Sequence, residues 1–117
     1  MTIIYKICTA SEWRAAEGAG VYRGSAVDCR DGFIHFSSAG QAAETAQQHF
    51  AGQRDLVLVA VDAELLGARL KWEPSRGGAL FPHLYGALDL NAVRRVEPLP
   101  LDASGHHVFP PTLTCEN

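Results

Sequence analysis

At 117 residues, with 47% apolar and 20% charged, the chain has the composition of one globular domain rather than of a disordered or fibrous segment. A formal net charge of −3 and scattered basic residues offer no extended positive surface for nucleic acid or anionic lipid. No apolar run approaches the roughly 20 residues that cross a bilayer, and the N-terminus lacks a basic leader with an apolar core and a cleavage site. Cys8, Cys29 and Cys115 are odd in number and lack metal-type spacing. That suits a reducing cytoplasm, with Cys8 a small buried hydrophobe.

Ile3–Cys8 is β-branched and aromatic and predicts the first strand, with Lys6 a charge inside an apolar run. Thr9-Ala10-Ser11-Glu12 fits a capping box and opens a helix that runs to Glu17 and stops at Gly18, Trp13 and Ala16 facing inward. Gly18–Asp31 reads as irregular. Phe33–Ser37 predicts the second strand, entered from Gly32. Ser38-Ala39-Gly40-Gln41 repeats the capping-box pattern, predicting a helix that reaches His49 or Phe50 before Gly52.

Leu56–Val61 is almost unbroken apolar sequence, expected as a strand covered on both faces. Asp62 caps a single turn over Ala63–Leu66. Arg69–Glu73, Leu80–Tyr85 and Val93–Leu99 predict further strands, with Pro74–Gly78 a loop. Two main helices and about six short strands without strict βαβ alternation predict an α+β fold of mostly antiparallel sheet. Residues 1–105 are expected to form the single domain and 106–117 a C-terminal tail.

His35 lies between Ile34 and Phe36, so strand alternation puts its side chain on the opposite face from theirs, with Ser37 beside it. Two readings stay open: a core histidine bonded to backbone, or the polar point of a pocket that stacks on a planar ligand or accepts a proton near neutral pH. A second concentration of polar, aromatic and glycine residues runs from Lys71 to Gly86. There Glu73 has the chemistry of a base or a grip on ribose hydroxyls, and Arg76 that of a phosphate partner; the alternative is a solvated loop pair. His83 and Tyr85 share one strand face, Tyr85 being alternatively a core aromatic with its hydroxyl at the rim. His35, His83 and Glu73 are zinc-compatible types without ligand spacing, so no metal is expected. Neither a phosphate-cradling glycine motif nor an activating context for a cysteine nucleophile occurs.

Ile4-Tyr5-Lys6-Ile7, Trp13, Asp31-Gly32-Phe33-Ile34-His35-Phe36-Ser37, Lys71-Trp72-Glu73 and Phe81-Pro82-His83-Leu84-Tyr85-Gly86 together resemble the DUF952 family, small bacterial proteins of unassigned function. The resemblance runs from about Ile3 to Leu101. It implies an ADP-ribosyltransferase-like fold of split antiparallel sheets with two main helices. That wider superfamily binds NAD in a cleft between two small sheets, with a histidine or arginine on the first core strand and a glutamate late. By order, Lys6 stands at the first position, where neither histidine nor arginine occurs. His35 and Ser37 then line the nicotinamide or phosphate side, and Glu73 or His83 takes the late position. The implied cleft has Lys6, His35, Ser37, Arg76 and Tyr85 as ligand-binding residues and Glu73 and His83 as catalytic ones. It takes NAD as substrate, or another nucleotide-like small molecule, with transfer or hydrolysis at a ribose or phosphate. The competing expectation is a non-catalytic ligand-binding or protein-interaction domain that retains the fold.

Overall fold

The structure, a computed structural model, describes residues 1–116, apart from the side chains of Arg76 and of residues 114–116. It is a mixed α+β fold built on antiparallel sheets. Strand β1 (Ile3–Thr9) pairs along its whole length with β4 (Leu56–Asp62), from Ile3 opposite Asp62 to Thr9 opposite Leu56. On its other side β4 pairs with β8 (Val93–Pro98), giving the order β1-β4-β8. The unbroken apolar run of β4 has the expected cause: Leu58, Val59, Ala60 and Val61 are all buried. Val59 and Val61 pack with Ile4, Trp13 and Leu84 on one face. Leu58 and Ala60 pack with Tyr5, Ile7 and Ala46 on the other. Each fully buried aliphatic side chain contributes about 1.5–3 kcal/mol relative to exposure.

The Thr9–Glu12 capping box forms as expected. Glu12 N donates to Thr9 Oγ1 at 3.0 Å and Thr9 N to Glu12 Oε1 at 3.0 Å. The helix it opens, α1 (Ala10–Ala19), runs past Gly18 and is closed by Gly20, whose φ of 81° and bond to Ala16 O supply the left-handed cap.

The stretch expected to be irregular contains two elements, β2 (Val21–Tyr22) and α2 (Ala26–Asp31). A second capping box starts α2: Ser25 N donates to Asp28 Oδ2 at 2.9 Å, and Asp28 N to Ser25 Oγ at 3.3 Å. Among the described residues, three α-helices therefore stand where two main ones were expected.

The expected strand over Phe33–Ser37 is divided between two sheets. Only β3 (Ile34–His35) pairs with β6 (Leu80–Leu84), which in turn pairs with β5 (Leu70–Pro74). Two residues on, Ser37 exchanges backbone bonds with Tyr5 of β1, both 2.8 Å. The expected cap at Ser38 also differs. Gln41 Oε1 accepts from Ser38 N at 3.0 Å, and Gln41 Nε2 donates to Leu80 O at 2.8 Å. A turn thus occupies 38–41, and α3 (Ala42–His49) begins after it. The turn after Asp62 lengthens into a 3₁₀ segment, Ala63–Arg69, kinked at Gly67. The remaining strand, β7 (Leu88–Asp89), pairs with β2.

Within the stretch expected as a tail, Thr112 and Leu113 lie back against the first sheet. Leu113 is buried in the second core cluster and Thr112 Oγ1 donates to Glu97 Oε1 at 2.9 Å.

Candidate functional site

The crossing of residues 34–37 from one sheet to the other makes a cleft between them. Ile34 and Phe36 point into the core, 2% and 3% exposed, so His35 projects the other way, as alternation requires. Directly across the β3–β6 ladder stands His83, its ring centroid 5.5 Å from that of His35 in an edge-on arrangement. Both histidines line a cavity of about 860 Å³, together with Tyr5, Lys6, Asp28, Ser37 and Phe81. Four residues named from the sequence, Lys6, His35, Ser37 and His83, therefore meet at one cavity. Ser37 Oγ lies 2.8 Å from Thr45 Oγ1, which ties α3 to the same wall.

Lys6 is not a free cation. Its Nζ lies 2.7 Å from Asp28 Oδ2, and the other carboxylate oxygen accepts from the His35 backbone at 3.1 Å and lies 2.7 Å from His35 Nδ1. Burial pushes the Asp28 carboxyl up, but the His35 hydrogen bond and the Lys6 charge outweigh it and hold the group well below the usual carboxylate range. The remaining ring nitrogen of His35, Nε2, lies 3.0 Å from Asp31 Oδ2. Asp31 is lowered too, first by Arg30 and then by His35. Asp28 escaped the sequence reading, and its one local signal is the Ser25-Ala26-Val27-Asp28 capping spacing.

A second group gathers behind His83. Glu73 Oε1 lies 2.8 Å from His83 Nδ1 and accepts from Tyr85 OH at 2.7 Å. The Tyr85 bond and then the His83 bond lower Glu73, while Glu73 in turn raises the Tyr85 phenol. Phe33 stacks on His83 with centroids 4.1 Å apart and planes at 26°, and also touches His35 and Tyr85. The sequence reading gave Phe33 no role. Glu73 and Tyr85 are not in the cavity wall, in contrast to the cleft the resemblance implied. The register explains this: Glu73 sits on β5 beyond β6, so it reaches His83 from the far side. The Arg76 side chain lies outside the described residues.

Among the described residues, no three His, Cys, Asp or Glu side chains are grouped to hold a metal. Burial pushes the Cys8 thiol up to about 12, which keeps it out of thiolate chemistry. Among the described residues, no helix is long and apolar enough to cross a membrane.

Fold and site together define a small α+β domain with a histidine-walled cleft between two antiparallel sheets. The chain belongs to the family described as protein of unknown function DUF952, whose model matches residues 7–96. It is similar to protein CC0527 from Caulobacter crescentus. The crystal structure of that protein is 54% identical, with 97% of this chain and 99% of that one covered and a TM-score of 0.92. Its solution NMR structure is 57% identical over 91% of each chain, with a TM-score of 0.81. A comparison with curated proteins finds no match.

Proposed function

We propose that the cleft binds a nucleotide-like small molecule, with NAD the first candidate. The observation that carries this reading is the pair His35 and His83, held face to edge by the β3–β6 ladder in the wall of one cavity of about 860 Å³. That volume lies within the range of small-molecule sites, about 300–1,000 Å³. Aromatic walls at Tyr5, Phe50 and Phe81 suit a planar ring, and hydroxyls at Ser25, Ser37 and Ser75 suit a sugar. A cleft between two small antiparallel sheets also fits the ADP-ribosyltransferase-like fold that the family resemblance implies. Within this reading His83, not Glu73, takes the late position facing the ligand, because Glu73 stands behind it. Lys6, neutralised by Asp28, anchors the floor rather than drawing in phosphate.

Calorimetric titration with NAD, ADP-ribose and nicotinamide tests the proposal. Binding of at least one, weakened by roughly tenfold or about 1.4 kcal/mol in His83→Ala, is expected. No heat from any of the three favours the competing reading, a non-catalytic interaction domain.

A further inference from the structure

Three histidines line the cleft, and the two that face each other across the β3–β6 ladder, His35 and His83, are not equivalent. His35 has both ring nitrogens beside carboxylates, Nδ1 at 2.7 Å from Asp28 and Nε2 at 3.0 Å from Asp31. It has no nitrogen left for a ligand. His83 has one nitrogen engaged, Nδ1 at 2.8 Å from Glu73 Oε1, and Nε2 has no hydrogen-bond partner among the described residues. A carboxylate only accepts, so the hydrogen of a neutral His83 ring sits on Nδ1 and the lone pair on Nε2. The residue is 5% exposed yet lines the cavity, and Nε2 is not among the sealed, unpartnered polar atoms of the core. The lone pair is therefore reached through the cleft.

We propose that His83 Nε2 is the proton-accepting atom of the cleft, that it takes a hydrogen bond from a hydroxyl of the bound ligand, and that Glu73 and Tyr85 are its positioning residues. This rests on the reading that the cleft holds a small molecule. Two contacts fix the ring and a third fixes Glu73 behind it. Glu73 selects the tautomer, Tyr85 OH holds the same Oε1 at 2.7 Å, and Phe33 stacks on the ring face at 4.1 Å. A hydrogen-bonded carboxylate behind one nitrogen with the other left open is the arrangement that orients an imidazole for general-base work. A ligand offering only acceptors at this point would leave the lone pair opposed, so the chemistry selected is a hydroxyl, as on a ribose.

Diethyl pyrocarbonate, which acylates an unprotonated ring nitrogen, tests this when read out by peptide mass mapping at pH 7.5. His83 is expected to react ahead of His35. Glu73→Gln should slow His83 by roughly tenfold or more, because a carboxamide no longer enforces the tautomer. Tyr85→Phe, which leaves the carboxylate in place, should slow it less. Thermal melts of both variants separate this from unfolding. Long-range ¹H–¹⁵N spectra of the wild type should show the hydrogen of the neutral ring on Nδ1, and these stand even where a variant fails to fold. Faster reaction at His35, a hydrogen on Nε2, or an unchanged rate in a folded Glu73→Gln would overturn the assignment. If NAD gives binding heat but does not protect His83, this inference falls and the binding reading stands. If NAD, ADP-ribose and nicotinamide all fail to bind while His83 reacts as expected, the nucleotide reading falls and the acceptor is retained for a hydroxylated ligand of another class.

Discussion

Lys6 Nζ and Asp28 Oδ2 meet at 2.7 Å with their side chains 6% and 2% exposed, one on an edge strand of the first sheet and the other on a two-turn helix. A charge so enclosed is tolerable only while paired. Removing one partner strands the other, at about 3–5 kcal/mol. Asp28→Ala is expected to destabilise by that amount in urea unfolding. Lys6→Met should cost less, because Asp28 keeps the His35 and Ser25 donors. Equal losses in the two variants would contradict this ranking.

Acid should undo the same network in a defined window. The folded carboxyl of Asp28 titrates below its unfolded value. As pH is lowered the unfolded chain therefore binds the proton first, so stability is lost as pH drops there. The contribution is complete above the unfolded value of about 3.9 and is lost as pH drops towards the folded one. Asp31 and Glu73 are lowered too, and being exposed they add little after solvent screening. Melting temperatures at pH 5, 3.5 and 2.5 should decline steeply in the wild type and more shallowly in Asp28→Asn. Parallel curves would refute the assignment.

Two glycines make a paired test of backbone geometry. Gly24 has φ of 108°, and a Cβ there would lie 2.7 Å from Asp28 Cβ. Gly24→Ala should lose about 1–3 kcal/mol and displace the Asp28 carboxylate. Gly18 lies inside α1 with nothing within 4 Å of a built Cβ. Gly18→Ala should gain about 0.5–1 kcal/mol by helix propensity alone. Opposite signs in chemical denaturation are the expected outcome.

Leu113 checks whether the C-terminal segment belongs to the folded unit. It is 7% exposed and sits in the cluster containing Tyr5, Leu58 and Ala46. Leu113→Ala should cost about 2 kcal/mol or more. A change within a few tenths of a kcal/mol would mark the segment as dispensable.

Much of this fold is legible because its signals are local. The β4 apolar run, the Thr9–Glu12 box and the alternation that turns His35 away from Ile34 and Phe36 each involve residues a few positions apart. What escaped has a physical reason in each case. The helix α2 has one buried residue, the charged Asp28, so it has no apolar stripe to detect. The capping pattern at Ser38 was half satisfied, its glutamine reaching across to Leu80 instead of closing a helix turn. Pairing of Lys6 with Asp28 spans 22 positions and depends on the chain crossing between sheets. For Glu73 the residue type was readable but not the side from which it reaches His83, since strand order decides that.

The double backbone bond between Tyr5 and Ser37 has a thermodynamic corollary. The two walls of the cleft are stapled by core segments rather than joined by a hinge of loops. A ligand entering such a slot meets groups already immobilised, and little of its binding free energy goes into ordering the host. Free and occupied backbones should then superpose closely, and affinity should discriminate sharply by ligand shape. Amide exchange at Tyr5 and Ser37 should be among the slowest in the protein with or without an occupant.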